Sequence, residues 1–254
     1  MPTIDCDGVW IRFEQHGEAT APTVLLVHGF ASSADDNWVQ TGWVRALTKA
    51  GRRVVTVDAR GHGKSDKPHD PAAYGHDRMA RDLEEVLRYA NARTVDVIGY
   101  SMGSYVTLGL LQRKPGRVRS AILGGVGGRV LKAAPNREGV AEALLAKDAA
   151  SIADPGARAF RAFAESRGND LRALAAVQRA ENALPDPAQL AKLALPILVL
   201  TGAKDTLVGD PAKLAAALPN ARAEIVPDTD HLSAVSHPRM KEAALAFLAA
   251  QSPI

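Results

Sequence analysis

Short apolar runs alternate with helix-patterned segments along most of this chain, and that alternation restricts its fold more than any other feature. Thr23 to Val27, Arg53 to Val57, Val95 to Ile98, Val118 to Leu123 and Ile197 to Leu200 each have the length and β-branched content of a strand. They stay apolar along most of their length, which predicts strands covered on both faces. Val9 to Gln15 instead alternates apolar and polar residues, as a half-buried strand does. Trp43–Lys49 reads as a helix. Met79, Leu83, Val86, Leu87 and Ala90 fall on one face of another. Its outer surface predicts the pairs Arg81–Glu85 and Glu84–Arg88 at i,i+4. Met102 to Arg113 is apolar nearly all round, so it predicts a central, buried helix, stopped by Lys114-Pro115-Gly116. Ala223–Val226 reads as a strand, and a last helix follows Pro238 with Met240, Ala243, Ala244, Phe247 and Leu248 on one face.

Strands alternating with helices imply a mainly parallel sheet with helices on both sides. Right-handed crossovers line up the C-terminal strand ends along one edge, and ligands bind outside that edge. His28-Gly29-Phe30, Asp58, Ser101, Asp205 and His231 all fall there.

One region breaks the alternation. From Arg129 to Leu184 strand signals vanish and Ala, Arg and Glu dominate, in segments such as Val140–Lys147, Ala157–Ser166 and Leu171–Glu181. This predicts a small helical insertion, reached through Gly124–Gly128 and left through Pro185-Asp186-Pro187. Its arginines (Arg137, Arg158, Arg161, Arg167, Arg172 and Arg179) read as a solvated helix face rather than as a site for an anion.

Composition narrows the function. The 254 residues suit one α/β domain with a sizeable core, and 46% hydrophobic with 23% charged residues excludes disorder. A net charge of +3, no block of like charges and 5% aromatics argue against a nucleic-acid surface. No stretch approaches the roughly 20 apolar residues that cross a bilayer. The single cysteine, Cys6, cannot form an intrachain disulfide, and Met1-Pro2-Thr3-Ile4-Asp5 lacks a secretory pattern. A cytoplasmic setting is expected.

The chemistry centres on Gly99-Tyr100-Ser101-Met102-Gly103, a serine between a strand and a helix with glycines two residues either side. This is a nucleophile elbow: the turn holds the serine in a strained conformation, and side chains at 99 or 103 would collide with neighbouring backbone. A serine hydroxyl needs a base to take its proton and a third group to orient that base. Of seven histidines, His231 is the expected base, in a loop between the last strand and the last helix. His237 directly precedes Pro238 and reads as the start of a helix. Asp205, just beyond the Ile197–Leu200 strand, is the expected orienting acid, with Asp210 as the alternative. Asp228 and Asp230 lie too near His231 in sequence. The oxyanion donors should be the backbone N–H of Met102 and that of Phe30. His28 reads as structural, its ring holding loops together. No Cys and His spacing suggests zinc, and no metal or cofactor is expected.

Together His28-Gly29-Phe30, Asp58-Ala59-Arg60-Gly61-His62-Gly63-Lys64-Ser65, Gly99–Gly103, Gly202-Ala203-Lys204-Asp205 and His231-Leu232 resemble the α/β-hydrolase fold family of serine hydrolases. The pieces occur in the family's order and span nearly the whole chain. The resemblance implies an α/β-hydrolase fold: a mostly parallel eight-stranded sheet flanked by helices, with residues 129–184 as a helical cap inserted after the sixth strand. It implies a carboxylesterase-type enzyme, and a structural turn with no catalytic role for His62 or Lys64. Relatives that open epoxides or remove halides carry aspartate at the elbow, against Ser101 here. Haloperoxidases and perhydrolases often have a proline after the aromatic residue, where this chain has Ala31. Lactone and thioester hydrolysis stay open, as does a non-catalytic ligand-binding role. Phe30, Met102, Leu207, Val208 and Leu232 are the expected pocket walls for a small-molecule ester or lactone. Oligomeric state is not legible.

Overall fold

A computed structural model of the chain describes residues 2–132 and 137–251. Its centre is an eight-stranded sheet in the order β1-β2-β4-β3-β5-β6-β7-β8. The strands are β1 Thr3–Cys6, β2 Val9–His16, β3 Thr23–Val27, β4 Arg53–Val57, β5 Val95–Tyr100, β6 Val118–Gly124, β7 Ile197–Gly202 and β8 Ala221–Val226. β2 runs antiparallel to both β1 and β4, while all pairings from β4 to β8 are parallel. The helices are α1 Trp43–Lys49, α2 His76–Tyr89, α3 Met102–Arg113, α4 Arg137–Leu145, α5 Pro155–Ser166, α6 Leu171–Arg179, α7 Pro187–Leu190, α8 Pro211–Ala216 and α9 Pro238–Ala250.

The two-residue period of the strands sorts their side chains into two cores. Leu25, Val27, Val55, Val57 and Val97 face α2, α3 and α8, where Met79, Leu83, Val106, Leu110 and Leu214 cover them. Val24, Leu26, Val54, Ile98, Leu198 and Leu200 face α1 and α9, beneath Trp43, Leu47, Met240, Phe247 and Leu248. Both faces are therefore apolar, which is why the central strands read as continuous runs. The predicted surface pairs on α2 are replaced by others: Arg81 pairs with Asp77, Arg88 with Glu85, and Glu84 with Arg113 of α3. Arg81 takes the carboxylate one turn before it, Arg88 takes the one three residues before it, and Glu84 is drawn to an arginine of the neighbouring helix.

Register sets the site. Val27 stands opposite Val57 and Gly99, Gly99 opposite Leu123, and Leu123 opposite Val199. The loops after β3, β4, β5, β6 and β7 thus leave the sheet side by side at one edge. Helices α4 to α7 lie between β6 and β7. Of the expected insertion, residues 133–136 fall outside the described residues. Ala141, Leu144, Ala164, Leu174 and Ala175 of α4, α5 and α6 form a small core with Ala31 and Phe30 of the loop after β3. Among the described residues, no helix is long and apolar enough to cross a membrane.

Candidate active site

The elbow is as tight as its sequence predicts. Ser101 has φ 52° and ψ −117°, a region that non-glycine residues avoid. Its N–H donates to the Gly124 carbonyl at 2.8 Å, and its carbonyl accepts from Ser104 N–H at 2.9 Å. A Cβ on Gly99 would sit 2.5 Å from the Gly103 carbonyl oxygen, and one on Gly103 only 2.0 Å from that of Val27. The two glycines let α3 press directly on β5 and β3, which lifts the Ser101 hydroxyl above the sheet edge.

That hydroxyl lies 2.9 Å from His231 Nε2, and His231 Nδ1 lies 2.7 Å from Asp205 Oδ2. The Asp205 side chain is fully buried and that of His231 is 11% exposed. The other oxygen of Asp205, Oδ1, accepts from Leu207 N–H at 3.0 Å. Two supports hold the loop carrying Asp205: Lys204 N–H donates to the Thr229 carbonyl at 2.8 Å, and Gly202 leaves room for Thr229, whose carbonyl a Cβ there would meet at 2.5 Å. Tyr100 OH donates to the His231 carbonyl at 2.5 Å. Burial, with Asp205 and Asp230 nearby, pushes the Tyr100 phenol well above its usual range, so it stays a donor.

The other acidic candidates are used elsewhere. Asp210 caps α8 by accepting from Ala212 N–H at 2.9 Å. Asp228 pairs with Lys204 at the surface. Asp230 accepts from the hydroxyl of Ser233 and from the amides of Leu232 and Ser233. His237 caps α9, its Nδ1 accepting from Arg239 N–H.

His28 controls the loop after β3. Its Nε2 accepts from Ala59 N–H at 3.0 Å, which forces the proton onto Nδ1. Nδ1 then donates to the Gly29 carbonyl at 2.8 Å, which also accepts from Ser32 N–H at 3.3 Å. In a planar trans peptide the C=O and N–H point opposite ways, so pinning the Gly29 carbonyl aims the Phe30 N–H the other way. Gly29 itself stands against Ser101, with an ideal Cβ 3.4 Å from the serine Cβ. Asn37 fixes it further by accepting from Gly29 N–H at 2.8 Å.

Behind this loop lies a buried polar layer. Asp58 accepts from Ala34 N–H at 2.8 Å and from Lys64 N–H at 2.9 Å. Burial alone would raise its carboxyl; these two amides and the Arg12 guanidinium hold it below the usual range. His28 and His62 pack 5.2 Å apart. Burial, above all, keeps both neutral, and the His62 pKa falls to about 3.

A cavity of about 350 Å³ opens over Ser101. Phe30, Phe160, Phe163, Leu232 and Val235 supply its apolar walls, with Asn37 and Thr41 among its polar ones. Of the residues expected to line the pocket, Phe30 and Leu232 do so. Leu207 and Val208 do not, because the chain beyond Asp205 turns toward Arg129: both of their carbonyls accept from Arg129. Met102 is buried at the start of α3 and does not line the cavity either.

Phe160 and Phe163 of α5 carry a signal in the sequence. They are two of only five phenylalanines, three residues apart on one helix. Of the insertion arginines, Arg158, Arg167, Arg172 and Arg179 are exposed, as a solvated face implies, while Arg137 is half-buried and Arg161 is not on that face. Arg161 is buried, donating to the Ala143, Leu144 and Ala146 carbonyls at the end of α4, and Arg167 pairs with Asp36 across to the loop after β3. Among the described residues, no group of three His, Cys, Asp or Glu side chains is arranged to hold a metal ion.

A strained serine, a histidine and a carboxylate in series, at the C-terminal edge of a parallel sheet, define a class of protein whose geometry suits proton removal from a serine hydroxyl. The profile of the alpha/beta hydrolase fold matches residues 22–138. The chain has the α/β-hydrolase fold.

A hydrolase from Pseudomonas aeruginosa PA01 is 27% identical over 98% of both chains, with a TM-score of 0.79. A thermophilic esterase from Thermogutta terrifontis is 26% identical, covering 97% of this chain and 96% of that one, with a TM-score of 0.76. The sn-1-specific diacylglycerol lipase ABHD11 of Mus musculus is 34% identical over 108 residues, 42% of this chain and 33% of the lipase. Matches to three such curated relatives span 31% to 41% of those proteins' lengths.

Proposed function

We propose that this chain is a serine hydrolase that cleaves small carboxylic esters through an acyl-enzyme on Ser101. The observation that carries the reading is the His231 imidazole held between the Ser101 hydroxyl and the buried Asp205 carboxylate. In the forward step His231 Nε2 takes the Ser101 proton as the oxygen attacks the ester carbonyl carbon. The oxyanion that forms is met by the N–H groups of Phe30 and Met102. His231 then passes its proton to the departing alkoxide, which leaves as an alcohol. Water enters, gives a proton to His231 and attacks the acyl carbon; His231 then returns that proton to the Ser101 oxygen as the acyl bond breaks and the carboxylic acid leaves. Asp205 holds the imidazole with its proton on Nδ1 and stabilises the imidazolium.

Residues 129–184 act as a cap. Their helices supply Phe160 and Phe163 to the wall of the cavity and close over the Phe30–Ala31 segment. An aromatic and aliphatic wall around about 350 Å³ favours a short or aryl, uncharged acyl group. Arg167 on the rim is already neutralised by Asp36, so it does not select an anion.

The test is hydrolysis of p-nitrophenyl acetate, butyrate and octanoate, with matching lactones and thioesters, by wild type and Ser101→Ala. Turnover of the shorter esters that disappears in the variant supports the reading. If neither protein turns over any of these while a small ligand raises the melting temperature, the fold serves binding instead.

A further inference from the structure

The loop that carries Phe30 is not held by the sheet alone. Ala31, the next residue, has φ 56°, a left-handed conformation that a non-glycine residue adopts only under strain. Its methyl is fully buried among Ala141, Leu144, Ala164, Leu174 and Ala175, all from the inserted helices. Its carbonyl accepts from Asn169 Nδ2 at 2.9 Å.

Asn169 sits in the turn between α5 and α6, anchored on α5. Its own N–H donates to the Ala164 carbonyl at 3.1 Å, and its Nδ2 also lies 3.3 Å from that oxygen. The same turn is tied to the core on either side. Arg167 pairs with Asp36 at 2.6 Å, and Asp170 with His69 at 2.8 Å. Of these three polar ties of the turn, that of Asn169 goes to the Phe30–Ala31 segment.

We propose that Asn169 is a positioning residue: by holding the Ala31 carbonyl it keeps the loop in the strained conformation that directs the Phe30 N–H at the oxyanion. The inference rests on the proposed acyl-enzyme reading, in which Phe30 is a donor. The inserted helices then do more than wall the cavity; they complete the catalytic geometry. Without the Asn169 contact the 31–32 peptide can rotate away from its strained state. That rotation withdraws the Ser32 N–H, which shares the 31–32 peptide, from the Gly29 carbonyl; His28 and Asn37 keep the loop folded, while the Gly29–Phe30 peptide, held by one bond fewer, loses aim.

The experiment compares Asn169→Ala and Asn169→Asp with wild type on p-nitrophenyl butyrate. Asn169→Asp keeps the shape but turns an acceptor toward an acceptor, and it serves where alanine lowers yield. His69→Ala cuts a neighbouring tether of the same turn without touching Ala31. The second readout is inhibition by butylboronic acid, whose serine adduct places an oxygen where the oxyanion forms. Both Asn169 variants should lose about ten- to a hundredfold in kcat, with KM changed less than threefold, because a donor is misaimed rather than removed. Boronic acid affinity should fall in step with kcat, and His69→Ala should keep kcat within twofold. Asn169 variants with wild-type kcat, or a His69→Ala loss as large as theirs, overturn the inference and leave the acyl-enzyme reading intact. A wild-type chain inactive on every ester, and insensitive to the boronic acid, overturns that reading and this inference with it.

Discussion

Replacing Asp205 with asparagine should nearly abolish turnover while leaving the fold in place, and the hydrogen bonds around residue 205 say why. Asp205 Oδ1 accepts from Leu207 N–H, and Oδ2 faces His231 Nδ1. An asparagine has one oxygen, and the Leu207 amide can only donate, so that oxygen stays with Leu207. The side-chain NH₂ is then turned toward His231 and demands an acceptor there. His231 answers by moving its proton to Nε2, where it points at Ser101 Oγ. The ring that should accept the serine proton now donates to the serine. Inverting the tautomer in this way costs on the order of 10⁴ in kcat, or about 5.5 kcal/mol of transition-state stabilisation. The side chain at 205 is fully buried and keeps its volume, so the melting temperature should move by only a few degrees. The assay is steady-state hydrolysis of p-nitrophenyl butyrate, with circular dichroism melting alongside. A variant within tenfold of wild type in kcat refutes the reasoning, and the orienting acid must then be sought elsewhere.

Two further outcomes follow from the cavity and the buried histidines. Phe160→Ala removes a wall contributed by α5, whose ring packs edge-on to Phe30 at 6.1 Å; the preferred acyl chain in a p-nitrophenyl ester series should lengthen by about two to four carbons. His62 is buried neutral, its pKa depressed from 6.5 to about 3 chiefly by burial, so the unfolded chain binds its proton first as pH falls. Its contribution is full above about pH 6.5 and is lost on acidification toward 3. Between pH 6.5 and 4.5, wild type should lose roughly 2 kcal/mol more stability than His62→Phe in urea unfolding, and equal losses would show that His62 is not held neutral.

Much of this molecule is legible in its sequence because its signals are local. Thr23–Val27, Arg53–Val57 and Met102–Arg113 have the bounds their patterns imply, since buried strands and the central helix are apolar on all sides. Ser101, Asp205 and His231 could be picked out because each stands in a loop beyond a strand end. The side-chain pairs of α2 were not legible: an arginine chooses among carboxylates on neighbouring turns and helices, and Arg113 reaches Glu84 from another element. Leu207 and Val208 lie off the pocket, since sequence nearness to Asp205 says nothing about which way the chain turns. Asn169 and Asn37 carry no sequence signal. Their importance comes from meeting Ala31 and Gly29 across gaps in sequence that only the tertiary fold closes.

The central claim is that Ser101 carries the acyl group. The most direct measurement is intact and peptide mass spectrometry after treatment with a p-nitrophenyl alkylphosphonate, whose phosphorus loses p-nitrophenolate to a nucleophilic serine. The account predicts one adduct per chain, on the peptide containing Ser101, appearing together with complete loss of esterase activity and absent from Ser101→Ala. An adduct on a different residue, or full inactivation with Ser101 unmodified, would contradict it.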